Sequence, residues 1–369
     1  MSAAVKKILE IIPSLDRCGA EKQMMLLAAG LPRDEFDTHV CVLTRSGPLQ
    51  AELEKAGIPV TLIGKRWRAD PQAYLRLRRW IGKLRPDLVH TWLFAANAYG
   101  RAAALAQGID RLIAAERCVD PWKGGLEFTV DRYLARRTQR IVTNSVAVRD
   151  FYVEHGLPSE KFAVIPNGID PPPAVSTTRE QALDELGLPR NARLVGFIGR
   201  LWPQKRVKDA IWAADLLKVI RDDVHLLIFG DGPQRERLLR YRDQVEIRDK
   251  VHLLGQRDDV ARFLPHFDVL WSTSEYEGQS NAIMEAMGNA VPVVATDIPG
   301  TRDLVVHEVT GYLVPLGDRA AFARQTNILL GDKSLAERLG GAGRDRMRNA
   351  FSVTGMVQRY ADLYREVLG

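Results

Sequence analysis

The sequence has few of the features that mark exported or membrane-spanning proteins. Its three cysteines, Cys18, Cys41 and Cys118, are odd in number, widely spaced and without a Cys-x-x-Cys pair, which argues against a disulfide framework and against a structural zinc site. Residues 1–7 lead into a strand-like run that is too short for a signal peptide or a membrane span. These absences predict a protein of the reducing cytoplasm.

Two kinds of binding motif are missing as well. Neither half of the chain has Gly-x-Gly-x-x-Gly after its opening strand, so a dinucleotide-dependent oxidoreductase is kept only as an alternative. The formal net charge of +6 favours anionic partners, among them a sugar nucleotide, a phospholipid surface or nucleic acid. No signature of an RNA-recognition, zinc-finger or oligonucleotide-binding module is present, which argues against nucleic acid.

What the chain does contain is an alternation of short apolar runs with amphipathic stretches of helical period, typical of parallel strands joined by crossover helices. A length of 369 residues exceeds what one hydrophobic core usually organises, and both halves show the pattern. We therefore predict two doubly wound α/β domains. The predicted strands are 8–12, 39–43, 60–63, 88–91, 112–115, 141–144, 194–198, 225–229, 251–254, 269–271, 291–295 and 312–314.

Three consecutive prolines mark the domain boundary. Pro171, Pro172 and Pro173 cannot donate to a sheet and favour an extended connector. We therefore assign residues 1–170 to a first domain and residues 171–351 to a second. Residues 352–369 have the apolar spacing of an amphipathic helix, which we expect to cross back to the first domain.

The strongest chemical signal follows the predicted strand 269–271. Glu277 lies in a loop, and Glu285 lies one turn into a helix that opens near Asn281. Backbone N–H groups around Gln279 and Ser280 would bind phosphate oxygens, because a helix N-terminus offers unpaired donors and the positive end of the helix dipole. The two carboxylates can accept hydrogen bonds from hydroxyls of an elongated ligand. Two solvated glutamates are the alternative, against which the surrounding glycine, serine and asparagine argue.

A second signal follows the predicted strand 194–198. Gly199, Arg200 and Lys205 place a turn and two fixed cations at the mouth of the second sheet. A guanidinium and an ammonium aimed at a departing pyrophosphate stabilise the negative charge that develops as its bond breaks. A basic loop on a basic protein is the alternative interpretation.

Together these segments resemble the Glu-x7-Glu and Gly-Arg…Lys motifs of glycosyltransferase family 4, whose members are retaining enzymes of the GT-B fold. The resemblance implies an α/β architecture of two Rossmann-like domains facing across a cleft, with an acceptor site on the first and a nucleotide-sugar site on the second. It implies catalytic roles for Glu277, Arg200 and Lys205. The donor-binding residues that it implies are Gln279, Ser280, Asn281 and Glu285.

Three further segments match the family pattern less specifically. Gly230 resembles the glycine of a turn beside the donor, and Arg257 sits where relatives hold the nucleobase. Gly19 resembles a glycine of the family's Gly-Gly-Ala-Glu loop at the donor phosphates, although Cys18 replaces the first glycine. An ordinary strand-to-helix turn is the alternative at Gly19 and at Gly230.

His90 ends a predicted strand, and Trp92 stands where many relatives have a second histidine. The resemblance includes His90 in the catalytic set, where it would position a donor or acceptor sugar. A buried structural histidine is the alternative. Asn167 and Gly168 match the family's Asn-Gly-x-Asp segment, which we interpret as structural.

The resemblance implies a sugar transferase that needs no cofactor and no metal. The Asp-x-Asp motif that holds a divalent metal in other sugar transferases is absent, and Arg200, Lys205 and the helix N-terminus would supply the positive charge. The implied donor is a nucleoside-diphosphate sugar with UDP or GDP, and the implied acceptor is a glycan, a lipid-linked or a small-molecule acceptor. A non-catalytic nucleotide-sugar-binding protein is the alternative function.

The region from Lys65 to Arg85 concentrates positive charge together with aromatic side chains. Such a helix can lie on an anionic membrane, and family members that act on lipid-linked acceptors dock in this way. A solvated helix face is the alternative, with Leu75, Leu77 and Ile81 packed inward. We expect a cytoplasmic protein and keep open a peripheral contact with the inner face of the membrane.

Overall fold

The structure is a computed structural model that describes residues 4–172 and 174–369. The chain divides into two compact units, one reaching to Gly168 and including Val353–Gly369, the other comprising Ile169–Ser352. The boundaries predicted from the sequence lie after residues 170 and 351, within two residues of the observed ones. Pro173 of the predicted connector and residues 1–3 lie outside the described residues.

The first unit contains one parallel sheet with helices between its strands. Its strands are β1 (Lys6–Ser14), β2 (Phe36–Arg45), β3 (Val60–Leu62), β4 (Leu88–Trp92), β5 (Leu112–Glu116), β6 (Arg140–Thr143) and β7 (Phe162–Val164). Its helices are α1 (Gly19–Gly30), α2 (Leu49–Lys55), α3 (Pro71–Leu84), α4 (Leu93–Leu105), α5 (Gly125–Ala135) and α6 (Val146–Glu154). The strand order is β3-β2-β1-β4-β5-β6-β7, which is doubly wound and reverses between β1 and β4.

The second unit repeats this plan. Its strands are β8 (Arg193–Ile198), β9 (Val224–Phe229), β10 (Val251–Gly255), β11 (Val269–Ser272), β12 (Val293–Thr296) and β13 (Gly311–Val314). Its helices are α7 (Arg179–Leu186), α8 (Val207–Ile220), α9 (Arg235–Gln244), α10 (Asn281–Gly288), α11 (Pro299–Arg302), α12 (Arg319–Gly331) and α13 (Lys333–Ala350). The order β10-β9-β8-β11-β12-β13 reverses between β8 and β11. The predicted pair of doubly wound α/β domains is confirmed, and each predicted strand overlaps an observed one.

The last helix, α14 (Val353–Leu368), packs within the first unit. Met356, Val357 and Tyr360 on its apolar face belong to the same buried cluster as Met24 of α1. Burial of such side chains contributes roughly 1.5–3 kcal/mol each relative to exposure. The amphipathic spacing of this segment therefore has an observed partner surface. In the part of the chain that the structure describes, no helix is both long enough and apolar enough to cross a bilayer.

A cluster of charged side chains is buried beside the end of β5. The Lys123 ammonium lies 3.3 Å from Glu116, 3.0 Å from Asp131 and 2.9 Å from the Tyr152 hydroxyl. Arg101 pairs with Asp131 at 3.0 Å. Burial raises the pKa of Glu116 to about 7, and the opposing attraction of Lys123 does not cancel this effect.

This pKa predicts how stability depends on pH. The ordinary value for Glu116 is 4.5, so as the pH rises from 4.5 to about 7 the unfolded state loses the proton while the folded state keeps it. Glu116 therefore makes the wild type progressively less stable across this window. Glutamine cannot ionise, so Glu116→Gln lacks this loss of stability. We predict that the difference in unfolding free energy, variant minus wild type, is about 3 kcal/mol larger at about pH 8 than at about pH 4.

Urea unfolding at the two pH values measures this difference. Glu337→Gln, at an exposed position on α13, is the matched control for loss of one carboxylate elsewhere in the chain. A difference between Glu116→Gln and the wild type that is the same at both pH values would contradict the prediction.

Candidate functional site

The predicted donor segments of the second unit follow neighbouring strands of its sheet. They come after β8, β9, β10 and β11, which lie side by side in the order β10-β9-β8-β11. The strand order reverses between β8 and β11, and in a doubly wound sheet a ligand crevice forms at the carboxyl ends of the strands at this reversal. The topology thus brings segments that are far apart in the sequence to one edge of the sheet.

Two of the predicted catalytic side chains contact each other at this edge. The Lys205 ammonium forms an ion pair with the Glu277 carboxylate, and the Ser274 hydroxyl donates to the same carboxylate oxygen at 2.8 Å. The side chains of Lys205 and Glu277 are only 16% and 10% exposed. The loop after β8 and the loop after β11 therefore form one site, with a cation and an anion held against each other.

Gln204, which no motif of the sequence marks, joins these two loops a second time. The Gln204 side-chain amide donates to the Tyr276 backbone carbonyl at 2.7 Å, and the Gln204 backbone carbonyl accepts from the Glu275 N–H at 2.9 Å. Both contacts lie next to the Lys205–Glu277 pair in the chain. They fix the backbone from which the two charged side chains extend.

Thr273 is a second residue of this site that was not predicted from the sequence. It is buried directly after β11, and its hydroxyl lies 2.8 Å from the Lys205 carbonyl and 3.2 Å from the Arg206 carbonyl. Arg206 has a φ of +47°, a left-handed conformation that side chains rarely adopt. The hydroxyl holds the peptide at this turn. A small polar residue at the end of a strand is the signal that could have identified Thr273.

Arg200 occupies the other predicted cation position, directly beyond β8. Its side chain is exposed and its guanidinium lies 5.5 Å from the centre of the Trp202 ring. Within residues 4–172 and 174–369 it forms no ion pair. The guanidinium is therefore oriented by an aromatic ring and its charge is not neutralised by a carboxylate.

Gly230 meets a steric requirement at the end of β9. A Cβ at this position would lie 2.0 Å from the Gly199 carbonyl oxygen, and the φ of +144° is rarely adopted by other residues. The Gly230 N–H also donates to the Gly255 carbonyl at 2.8 Å. Glycine thus allows the turns after β8, β9 and β10 to approach one another. Its predicted contact with a donor stays a prediction.

The remaining donor residues surround the start of α10. The helix begins at Asn281 with Ser280 as its N-cap, and within the described part of the chain the Ser280 side chain does not cap it. Gln279 and Ser280 are buried, and Glu285 is half-buried one turn into the helix. This helix end has the dipole and N–H groups that favour an anion.

Arg257 follows β10 and is tied to its own unit by ion pairs. Its guanidinium donates to Asp259 at 2.7 Å and to Glu185 at 2.6 Å, and these bonds raise its pKa above the usual range. The same group lies 4.7 Å from the centre of the Phe263 ring. A contact of Arg257 with a nucleobase stays a prediction.

The two predicted residues of the first unit lie in different surroundings. Gly19 is the first residue of α1, with Cys18 as N-cap. His90 is fully buried, with Nδ1 2.7 Å from the Tyr364 hydroxyl and 3.1 Å from a Glu10 carboxylate oxygen. These contacts are those expected of a buried structural histidine, the alternative to a catalytic role. Its catalytic role stays a prediction.

Among the described residues, no group of three or more His, Cys, Asp or Glu side chains is arranged so that it could hold a metal ion.

Gly300 supports the loop that carries Glu277. A Cβ at Gly300 would lie 2.0 Å from the Gly278 carbonyl oxygen and 2.5 Å from the Glu277 carbonyl oxygen. α11 therefore packs against the backbone of this loop at a distance that only glycine permits. Any larger residue must displace the loop or the helix.

We predict that Gly300→Ala lowers the unfolding free energy by about 1–3 kcal/mol, because the added methyl group overpacks a backbone contact. The matched control is Gly341→Ala in the interior of α13, where a Cβ meets nothing within 4 Å. This control is expected to gain about 0.5–1 kcal/mol from helix propensity. Urea unfolding measures both, and equal stability of Gly300→Ala and the wild type would refute the packing argument.

Comparison with known families gives two adjoining matches. Residues 18–172 match the family described as Glycosyltransferase Family 4, and residues 178–346 match the family described as Glycosyl transferases group 1. Together the matches cover most of both units.

Individual relatives agree with these matches. The chain is 27% identical to UDP-Gal:alpha-D-GlcNAc-diphosphoundecaprenol alpha-1,3-galactosyltransferase of Escherichia coli, over 92% of this chain and 91% of that protein. It is 28% identical to 2-deoxystreptamine N-acetyl-D-glucosaminyltransferase of Streptomyces fradiae, over 96% of this chain and 86% of that protein. Among solved structures, Anabaena Alr3699/HepE in complex with UDP-glucose has a TM-score of 0.88 at 23% identity, covering 98% of this chain and 100% of that chain.

Proposed function

Since this chain belongs to glycosyltransferase family 4 and has the GT-B fold, we propose that it transfers a sugar with retention from a UDP-sugar to a glycan or lipid-linked acceptor. It is a glycosyltransferase, and the retention, the donor and the acceptor are the proposal. The observation that carries the proposal is the contact between Lys205 and Glu277, which unites the two motif segments in one site. UDP is favoured because Alr3699/HepE is described with UDP-glucose and the E. coli relative is named for UDP-Gal.

In the proposed complex the diphosphate takes the place of Glu277 as the partner of Lys205. The phosphate offers Lys205 a stronger anion, and Arg200 contributes a second cation from the end of β8. Glu277 is then released to accept hydrogen bonds from the sugar. Because negative charge grows on the diphosphate as the glycosidic bond breaks, these cations stabilise the transition state more than the bound donor.

The helix α10 contributes the remaining donor contacts. Its N-terminus at Ser280 and Asn281 favours a phosphate, and Glu285, one turn further, accepts from the ribose hydroxyls. With two cations and a helix dipole supplying positive charge, we propose that the reaction needs no metal ion. No cofactor other than the donor substrate is part of the proposal.

Retention follows from attack on the face from which the diphosphate leaves. The acceptor oxygen bonds to the anomeric carbon, the bond from that carbon to the diphosphate oxygen breaks, and its electron pair stays on the phosphate. The same departing phosphate accepts the acceptor's proton. Glu277, which the donor has released from Lys205 and which still accepts from Ser274, acts on the sugar electrostatically, and we assign no side chain as a nucleophile.

Kinetics of point variants test the assigned roles. We predict that Arg200→Ala and Lys205→Ala each lower kcat by about 10²–10³-fold with a smaller change in donor KM, because their interactions strengthen in the transition state. Glu285→Ala is expected chiefly to raise donor KM. Lys208→Ala, which removes an exposed lysine that stacks on Tyr241 of the same unit, is the matched control.

A thermal-shift screen of UDP-, GDP- and ADP-sugars selects the donor for these assays, since a ligand that binds only the folded state raises Tm. Donor hydrolysis and transfer are then followed by release of the nucleoside diphosphate. Unchanged kinetics in Arg200→Ala, Lys205→Ala and Glu285→Ala would remove the assignment, and a Tm that no nucleotide sugar raises would remove the proposed donor.

We further propose that α3 contacts an anionic membrane. Arg78, Arg79 and Lys83 are exposed on this helix, and none of them has an ion-pair partner in residues 4–172 and 174–369. Leu77 and Ile81 pack inward, as the solvated-face alternative expects. Leu75, for which the same alternative expects burial, is 44% exposed because it lies on the opposite side of the helix from Leu77 and Ile81. An exposed leucine among free cations favours a membrane surface.

Liposome flotation tests this contact. The wild type is expected to float with vesicles containing about one third phosphatidylglycerol and to be released as the salt rises from about 0.05 M to about 0.5 M. The double variant Arg78→Glu, Arg79→Glu should not float, whereas Arg344→Glu on α13 of the second unit should behave like the wild type. Flotation that is absent from the wild type or insensitive to salt would overturn the proposed contact.

A further inference from the structure

Two aromatic side chains meet at the ends of neighbouring strands of the first unit. Phe94 follows β4 and Trp122 follows β5, and their rings pack edge to face with centroids 5.5 Å apart. Trp122 is nevertheless 58% exposed. Exposure of one tryptophan is common on a protein surface, so the evidence for a ligand lies in how this ring is held.

The indole of Trp122 is held in a fixed orientation. Its N–H donates to an Asp120 carboxylate oxygen at 3.0 Å, and its edge-to-face contact with Phe94 restrains the ring from a second direction. The Lys123 ammonium lies 5.0 Å from the centre of the Phe94 ring and so packs against the supporting aromatic side chain. A ligand that stacks on this indole therefore meets a preorganised surface.

The loop that carries Trp122 is anchored by the buried charge cluster beside β5. Lys123, the next residue, has a fully buried side chain and lies within 3.4 Å of carboxylate oxygens of Glu116, Asp120 and Asp131. Taking these charges out of water is costly, and an apolar core of the same volume would give equal or greater stability. The cluster is better explained as a device that positions the loop.

The preceding strand end carries strain of its own. Leu93, directly before Phe94, has a φ of +66°, a left-handed conformation that is costly for a leucine. Such strain collects at ligand sites, where the surrounding structure enforces it. Phe94, the next residue in α4, packs on Trp122.

We propose that Trp122 is a stacking platform for a pyranose ring of the acceptor. This inference rests on the proposed function and specifies that the acceptor contains a sugar. The apolar face of a pyranose fits an exposed indole, and hydroxyls at its rim can donate to Asp120, whose side chain is 21% exposed. The site lies at the carboxyl ends of β4 and β5, where a doubly wound sheet binds its ligands.

The surface beside Trp122 favours a neutral sugar over a lipid headgroup. Glu116 and Asp131 beneath this loop are buried and paired with Lys123 and Arg101, and Glu127 at the start of α5 pairs with Arg68. Asp120 is the carboxylate that this cluster exposes beside the indole, so it offers an acceptor to sugar hydroxyls and repels an anionic headgroup. This surface thus differs in character from the basic α3.

Saturation-transfer NMR with methyl α-glucoside, methyl α-galactoside and methyl N-acetyl-α-glucosaminide tests the platform. We expect transfer to the ring protons of at least one of these probes with the wild type. Trp122→Ala should weaken the signal about fivefold or more, since it removes the stacking surface. Tyr133→Ala, which removes a 66% exposed aromatic side chain from α5 of the same unit, should retain it.

Three results of the NMR experiment would overturn the platform. These are no transfer to any of the three probes, an undiminished signal in Trp122→Ala, and an equal loss in Tyr133→Ala. Flotation with anionic vesicles that depends on Trp122 would also overturn it, because the ligand would then be lipid. Release of UDP from a UDP-sugar by the wild type is measured separately. If the wild type releases no UDP, the proposed function is contradicted. The NMR experiment still determines whether Trp122 binds a sugar.

Discussion

The candidate site depends on the ion pair between Lys205 and Glu277. Both side chains are largely buried, and removing either partner would leave an uncompensated charge in a region with little water. A nucleotide sugar provides a phosphate for the ammonium and hydroxyls for the carboxylate, so it can separate the pair while satisfying each member. The two groups that we assign to donor contacts thus also hold the two loops of the site together.

The backbone around this pair is held by contacts that involve no catalytic charge. Thr273 bonds the carbonyls at the left-handed Arg206, Gln204 spans the two loops, and Gly230 and Gly300 allow backbone segments to touch. Geometry matters here because a displacement of about 1 Å between a charged group and a reacting bond can cost about 10²-fold in rate. The residues that hold the loops therefore set the position of the charges to which we assign the chemistry.

The strands and the motif residues could be predicted from sequence because both are local signals. Each strand is a short apolar run between turn residues, and Glu277 and Glu285 lie within one loop and one helix turn. The contacts of Gln204 and Thr273 could not be predicted, since they join segments 72 and 68 residues apart that meet only because β8 and β11 are neighbours. β7 is absent from the predicted strands for another reason, because its three residues are half-buried and have no periodic pattern.

Two lysines show how burial distinguishes a fixed charge from an exchangeable one. Lys123 is fully enclosed in the first unit, with three carboxylates within 3.4 Å, and a ligand could reach it only by unpacking that cluster. Lys205 is 16% exposed and, within the described residues, pairs with a single carboxylate at the ligand-binding edge of the second sheet. An incoming anion can therefore compete for Lys205 and not for Lys123. The same ion-pair chemistry positions a loop in one unit and, in the proposed function, yields to the donor phosphate in the other.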